Sequence, residues 1–306
     1  DEAGCALSLG TSGPGNPDGV GYDGLTAVLR EAIGQALAEA DVTMEQIAAA
    51  GLGISGYDWP SQRERMLGAI RAAGLSAPVE IVNDALLGVL AGTSEGWGVA
   101  VVAGTSCNCW GRDRSGREGR MTGFSWMGEA AGGGELVLKA IQAIARAWTQ
   151  RAPATCLAEA FIQLVGASDV VDLLEGLSSG RTYIGADAAP LVFRVAAEGD
   201  AVAQGLIVWA GQELADMAIG VIRQLGFETL DFEVVLAGSF FKGSPVLAQV
   251  MRETIHTVAP GAHLVRLHVP PVVGGVILGM EQGGTHPASV RQSLIESTGR
   301  LLYYDE

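Results

Sequence analysis

The chain has 306 residues, enough for about two domains with cores of their own. Hydrophobic residues make up 48% and charged residues 17%, which excludes a disordered chain. A formal net charge of −15 repels phosphate backbones and anionic lipid, so nucleic acid and membranes are excluded as partners. It leaves room for a nucleotide, because one glycine-rich loop can bind phosphates through backbone amides alone.

The longest apolar runs noted, such as 98–104 and 272–280, fall short of a bilayer span, and no basic, apolar leader opens the chain. A cytoplasmic location is expected. Cys5, Cys107, Cys109 and Cys156 form no CxxC pair, and Cys107 and Cys109 are spaced to share one face of a strand. Free thiols in a reducing compartment are expected. His256, His263, His268 and His286 lack HExxH spacing, so no protein-ligated metal is expected.

Along the chain, Leu25, Val28, Leu29, Ala32, Ile33, Ala36 and Leu37 keep helical spacing and predict an amphipathic helix over 25–40. The run 48–54 predicts a buried strand. Ser61 with Glu64 predicts a capping box that opens a second helix. Then come a strand at 79–82, a helix at 84–91 and a strand at 98–103. Strands alternating with helices predict an α/β sheet covered on both faces. Segments 107–111 and 117–122, joined by the turn 113–116, predict an antiparallel hairpin. A glycine-rich bend at 128–134 leads into a helix from Glu135 to Trp148, and 153–228 is largely helical with a break near 178–187. A strand at 232–237, a helix from Pro245, a strand at 263–267, an apolar segment at 271–280 and a closing helix at 287–302 complete the pattern.

Three strand ends combine small residues with a polar group, and ligands of open α/β sheets bind at such carboxyl ends. At Val82-Asn83-Asp84, Asp84 is either a helix N-cap or a general base presented to a substrate hydroxyl. At Ala103-Gly104-Thr105-Ser106, the turn is either an ordinary hairpin or a phosphate loop; no GxxxxGK[ST] occurs in the chain. At Ala237-Gly238-Ser239, with Lys242 just beyond, a helix entrance follows a buried strand. Gly51-Leu52-Gly53-Ile54-Ser55-Gly56 satisfies GxGxxG, but Tyr57-Asp58-Trp59-Pro60 separates it from the next helix, which argues against a dinucleotide site.

The order of these segments resembles the actin–hexokinase–heat-shock ATPase superfamily. Within it, the sequence is similar to the N-acetylglucosamine kinase and BadF/BadG/BcrA/BcrD-type ATPase family over nearly its whole length. The resemblance is carried by Gly13-Pro14-Gly15-Asn16-Pro17, the 51–56 run, Val82-Asn83-Asp84-Ala85, 103–108, Gly128-Glu129, Ala237-Gly238-Ser239 and 270–275. It implies two ribonuclease-H-like domains, 1–96 with 287–306 and 97–286, separated by a cleft, with a helical insert in the second. It further implies ATP and Mg2+, with Gly104, Thr105, Gly238, Ser239 and Lys242 at the nucleotide. Asp84 is implied as the base, with Asn16, Asp84, Ser106, Asn108 and Glu129 at an amino sugar phosphorylated on its primary hydroxyl, in a homodimer.

Three departures from the family pattern bear on this. A first, Gly-rich phosphate loop is expected ahead of a chain that opens at Asp1, which implies either a fragment or a lost phosphate and magnesium contact. Ser106-Cys107 stands where Gly-Ser is usual, and Glu129-Ala130-Ala131 where Asp-Glu-Gly is usual. The alternatives are an ATPase activator with a cysteine-ligated cluster and a sugar-binding protein without catalysis.

Overall fold

A computed structural model describes residues 1–285 and 289–303. The 286/287 domain boundary and Pro287, the expected start of the closing helix, lie outside the described residues. Residues 4–16 hold no helix or strand, and α1 (Pro17–Ala40) follows. Asn16 caps it, its Oδ1 accepting from the Asp18 N–H at 2.9 Å, and Gly21 at φ 70° kinks it. The periodicity at 25–40 captured only the part beyond this kink, where Gly34 keeps helical backbone angles.

Next come β1 (Ala50–Ile54), α2 (Arg63–Ala72) and β2 (Val79–Asn83), with β1 and β2 paired in parallel. The expected Ser61/Glu64 box is not formed. Pro60 fixes a tight 3-10 turn over Pro60–Gln62, and the Gln62 Oε1 accepts the N–H groups of Asp58 (2.9 Å) and Trp59 (2.8 Å), so the α-helix starts at Arg63.

The chain continues through α3 (Asp84–Gly92) into an antiparallel meander of β3 (Gly98–Ala103), β4 (Cys107–Arg112) and β5 (Glu118–Arg120). At the predicted 113–116 turn, the Asp113 carboxylate accepts from the Ser115 and Arg117 N–H groups. The helices α4 (Gly133–Trp148), α5 (Leu157–Val165), α6 (Val170–Ser178), α7 (Ala189–Ala197) and α8 (Ala201–Leu225) follow. Then come β6 (Phe232–Ala237), α9 (Pro245–His256), β7 (Ala262–Arg266), α10 (Val272–Gln282) and α11 (Arg291–Tyr303).

The larger sheet has the order β5-β4-β3-β6-β7, with β3, β6 and β7 mutually parallel. An antiparallel triplet continued by two parallel strands is the ribonuclease-H-like topology, so the α/β expectation holds. One face carries α4, α7, α8 and α9 over a continuous apolar core. The other face, through Ala100, Trp110 and Val235, receives α3, and α10 packs on α3 and on β1 of the smaller sheet. The smaller sheet buries Ile54 and Ile81 against Leu25 of α1 and Met66 and Ile70 of α2.

At 25 residues, α8 is long and apolar enough by length and composition to cross a membrane, although Gln204, Gln212, Glu213 and Asp216 divide it into short apolar runs. Here Ala203, Ile207, Ala210, Leu214, Ala218 and Ile222 are buried in the core beside α7, α9 and β4, so its hydrophobicity has a packing cause.

Candidate active site

Asn83, not Asp84, caps α3: its Oδ1 accepts the Ala85 N–H at 2.9 Å. The strand delivers an amide cap and then a carboxylate, so Asp84 is not needed to start the helix. Its side chain borders a cavity of about 840 Å³ together with Asn16, Ser55, Val102, Gly238, Ser239 and Lys242. Solvent reaches the Asp84 carboxylate from this side, while dense protein behind it withholds water. Burial therefore raises its pKa above the ordinary carboxylate range, against the opposing pull of the Ala85 and Asp84 N–H groups and the Ser55 hydroxyl. Asn16 reaches the same hydroxyl, its Nδ2 donating to Ser55 Oγ at 3.4 Å.

A second cavity of about 670 Å³ is lined by Gly104, Thr105, Gly133, Phe193, Ser239 and Lys242, so Ser239 and Lys242 border both spaces. The start of α4 holds the Gly104–Ser106 turn: the Gly133 N–H donates to Gly104 O (2.8 Å) and the Gly134 N–H to Thr105 O (2.9 Å). With its carbonyls engaged and Thr105 and Ser106 exposed, the turn leaves its outer face open. A Cβ built on Gly104 would meet nothing within 4 Å. That is the shape a phosphate-binding turn needs. Gly238 sits at φ 103°, where a Cβ would lie 2.1 Å from Ala103 O, so the ends of β3 and β6 touch through backbone alone.

Five of the expected residues, Asn16, Asp84, Gly238, Ser239 and Lys242, thus share one cavity. Gly104 and Thr105 line the adjoining one. Ser106, Asn108 and Glu129 line neither. Ser106 packs against Gly132. Asn108 Oδ1 accepts the Cys109 N–H at 2.8 Å, and its side chain faces Asp58. The buried Glu129 carboxylate accepts the N–H groups of Thr122 and Gly123, which fixes the loop leading to α4.

Three residues escaped sequence reasoning. Ser55 lay inside the glycine-rich run dismissed as a dinucleotide site. Arg266 ends β7 and lines the first cavity, and the strand-end rule that singled out the other sites would have found it; its Nη1 is buried without a hydrogen-bond partner. Asp58 is a buried carboxyl in a loop, with no periodic signal to mark it. Its burial, with the charges of Asp84 and Asp18, raises its pKa to about 6 despite Arg120 and Asn108.

Cys107 and Cys109 are buried free thiols on β4, as their spacing predicts. The Cys107 Sγ–H donates to Glu129 O at 3.7 Å, and burial pushes its pKa up to about 12 and that of Cys109 well above its ordinary value. Both are thereby held as thiols at neutral pH.

Comparison with known proteins agrees with this architecture. An N-acetylmuramic acid/N-acetylglucosamine kinase of Clostridium acetobutylicum is 23% identical, over 87% of this chain and 88% of its own. An N-acetyl-D-glucosamine kinase of Dictyostelium discoideum is 25% identical, over 92% of each chain. A crystal structure from Chromobacterium violaceum, bearing the provisional name N-acetylglucosamine kinase, superposes with a TM-score of 0.61 at 21% identity, over 89% of this chain and 90% of that one. The profile of the BadF/BadG/BcrA/BcrD ATPase family matches residues 1–279, and the chain belongs to that family.

Proposed function

We propose that the protein is an ATP-dependent kinase that phosphorylates the primary hydroxyl of N-acetylglucosamine or a related amino sugar to the 6-phosphate. The observation that carries this is Asp84. It is a carboxylate released from capping duty by Asn83 and facing a cavity that adjoins an open Gly-Thr turn through Ser239 and Lys242. The names of the two curated relatives support the sugar class.

In this reading the adenosine occupies the cavity beside Phe193 and Gly133, and the phosphates follow Gly104-Thr105 and Gly238-Ser239 toward Asp84. Asp84 accepts the hydroxyl proton as the oxygen attacks the γ-phosphorus in line. Its raised pKa brings its basicity nearer to neutrality, which suits a base. Lys242 neutralises phosphate charge, and Asn16, Ser106, Asn108 and Glu129 form or support the sugar side.

The described residues hold no group of three or more His, Cys, Asp or Glu that could cage a metal. Mg2+ belongs to this proposal as a partner of the nucleotide phosphates, whose charge it would neutralise. The division into residues 1–96 with 287–306 and 97–286 belongs to the same proposal. It is supported by α11, whose Ser297 Oγ accepts the Ala6 N–H at 2.9 Å. So do a cytoplasmic location and a homodimer, which sedimentation would test.

The decisive experiment is a coupled ADP-release assay with N-acetylglucosamine, glucosamine, glucose and N-acetylmannosamine. Turnover that depends on an amino sugar is expected. ATP binding without release of ADP on any of the four sugars would refute the kinase.

A further inference from the structure

We propose that Asp58 is a positioning residue of this centre, tying the cap of the helix that begins at Asp84 to Asn108 on the larger sheet. Asp58 is 8% exposed and makes no ion pair among the described residues. Its Oδ1 accepts from Asn83 Nδ2 at 3.0 Å, and the same Nδ2 donates to Tyr57 O at 3.2 Å. The other end of that amide, Oδ1, caps α3 at the Ala85 N–H. Asn83 is therefore held at both ends, and Asp58 fixes the end that faces away from the helix.

From the other sheet, the Asn108 side chain faces the same carboxylate and favours its ionisation. Its Oδ1 is already engaged by the Cys109 N–H, so the NH2 is the group left for Asp58. Gly123 closes over the site: a Cβ there would lie 2.9 Å from Asp58 Oδ1. One carboxylate thus joins the 57–62 turn, the β2–α3 junction, β4 and the loop before α4.

The charges that face it are Asp84 and Asp18, which oppose its ionisation, and Arg120, which favours it. A buried carboxylate without an ion pair is costly. An amide would satisfy Asn83 as an acceptor without that cost. What only the carboxylate supplies is a negative charge beside the base, and acceptors toward two amides at once. The two charges oppose each other, so the carboxylates titrate as a coupled pair and removing one lowers the apparent pKa of the other.

The kinetic arm of the test rests on the kinase reading; the titration arm does not. Asp58→Ala in the full chain is expected to lower kcat about 10- to 100-fold and raise the sugar KM, with the ATP KM within about twofold of wild type. Asp58→Asn is expected to retain most of the sugar affinity. It should move the acid limb of the kcat/KM profile, and the NMR titration of the Asp84 carboxyl, to lower pH by about half a unit or more. A merely structural role would not move that titration.

Folded variants with kinetic constants within about twofold of wild type and an unmoved Asp84 titration would overturn the proposal. If Asp58→Ala does not fold, the isosteric Asp58→Asn decides alone. If wild type shows no sugar-dependent turnover, the kinase reading fails. The Asp84 titration then still decides: movement supports positioning by Asp58, and no movement overturns it.

Discussion

The segments β1-α2-β2-α3 and β6-α9-β7-α10 are both parallel strand pairs, each followed by a helix that crosses to the opposite sheet. α3 packs on β3 and β4, whereas α10 packs on β1. Their surroundings differ. β6 has β3 along its far edge and is almost wholly buried, while β1 pairs only with β2 among the described residues and its Gly51–Ile54 stretch borders the larger cavity. The braced pair contributes backbone geometry, the Gly238-Ser239 turn. The half-open pair contributes side chains, Ser55 and Asp84. One topology thus serves rigidity in one place and access in the other.

The largest effect expected on this contrast is from Asp84→Asn, which should lower turnover at least about 100-fold while leaving ATP binding intact. Titration calorimetry beside the ADP-release assay checks both halves. Unchanged turnover would remove the chemical role from the half-open pair. Next, Gly238→Ala tests the braced pair. Its φ of 103° and a Cβ placed 2.1 Å from Ala103 O predict a loss of about 3 kcal/mol or more in urea unfolding, together with weakened nucleotide binding. Gly51→Ala should cost somewhat less, about 2 kcal/mol, because its Cβ would meet α10 backbone (Gly275 O at 2.3 Å) that has a cavity beside it to yield into. Equal costs for the two glycines would erase the distinction between braced and yielding frames.

Much of this was legible in the sequence. The strands at 98–103 and 232–237 match β3 and β6 residue for residue, because short, largely apolar runs ended by glycine admit few alternatives. Asp84 was visible as a strand-end carboxyl, but its freedom from capping was not, since Asn83 and Asp84 are both good caps and only the backbone decides between them. The GxGxxG run does not open a helix, and α2 starts only at Arg63. The run's reason lies in three-dimensional packing, with Gly51 against α10 and Ser55 at the cavity. Asp58 was invisible because burial in a loop follows from long-range contacts with 83, 108 and 123, which no local pattern encodes.

Asp58 and Glu129 extend the contrast to buried charge. The Glu129 carboxylate takes one backbone N–H on each oxygen, whereas that of Asp58 takes side-chain amides, faces two other carboxylates and has its pKa raised to about 6 from 3.8. A carboxyl that binds its proton more tightly when folded stabilises the protein fully below its unfolded pKa. It loses that contribution as pH rises through the folded value. Asn mimics the protonated form. The unfolding free energy of Asp58→Asn should therefore match wild type near about pH 4 and exceed it by about 2 kcal/mol near about pH 7.5, most of the change falling between about pH 4 and pH 6.5. Urea titrations at several pH values read this directly. The Asp84 charge reinforces the sign, because Asp58→Asn also removes the repulsion between the two carboxylates. A difference independent of pH would mean that Asp58 is not charged at a cost in the folded state, and would leave the half-open pair as well satisfied as the braced one.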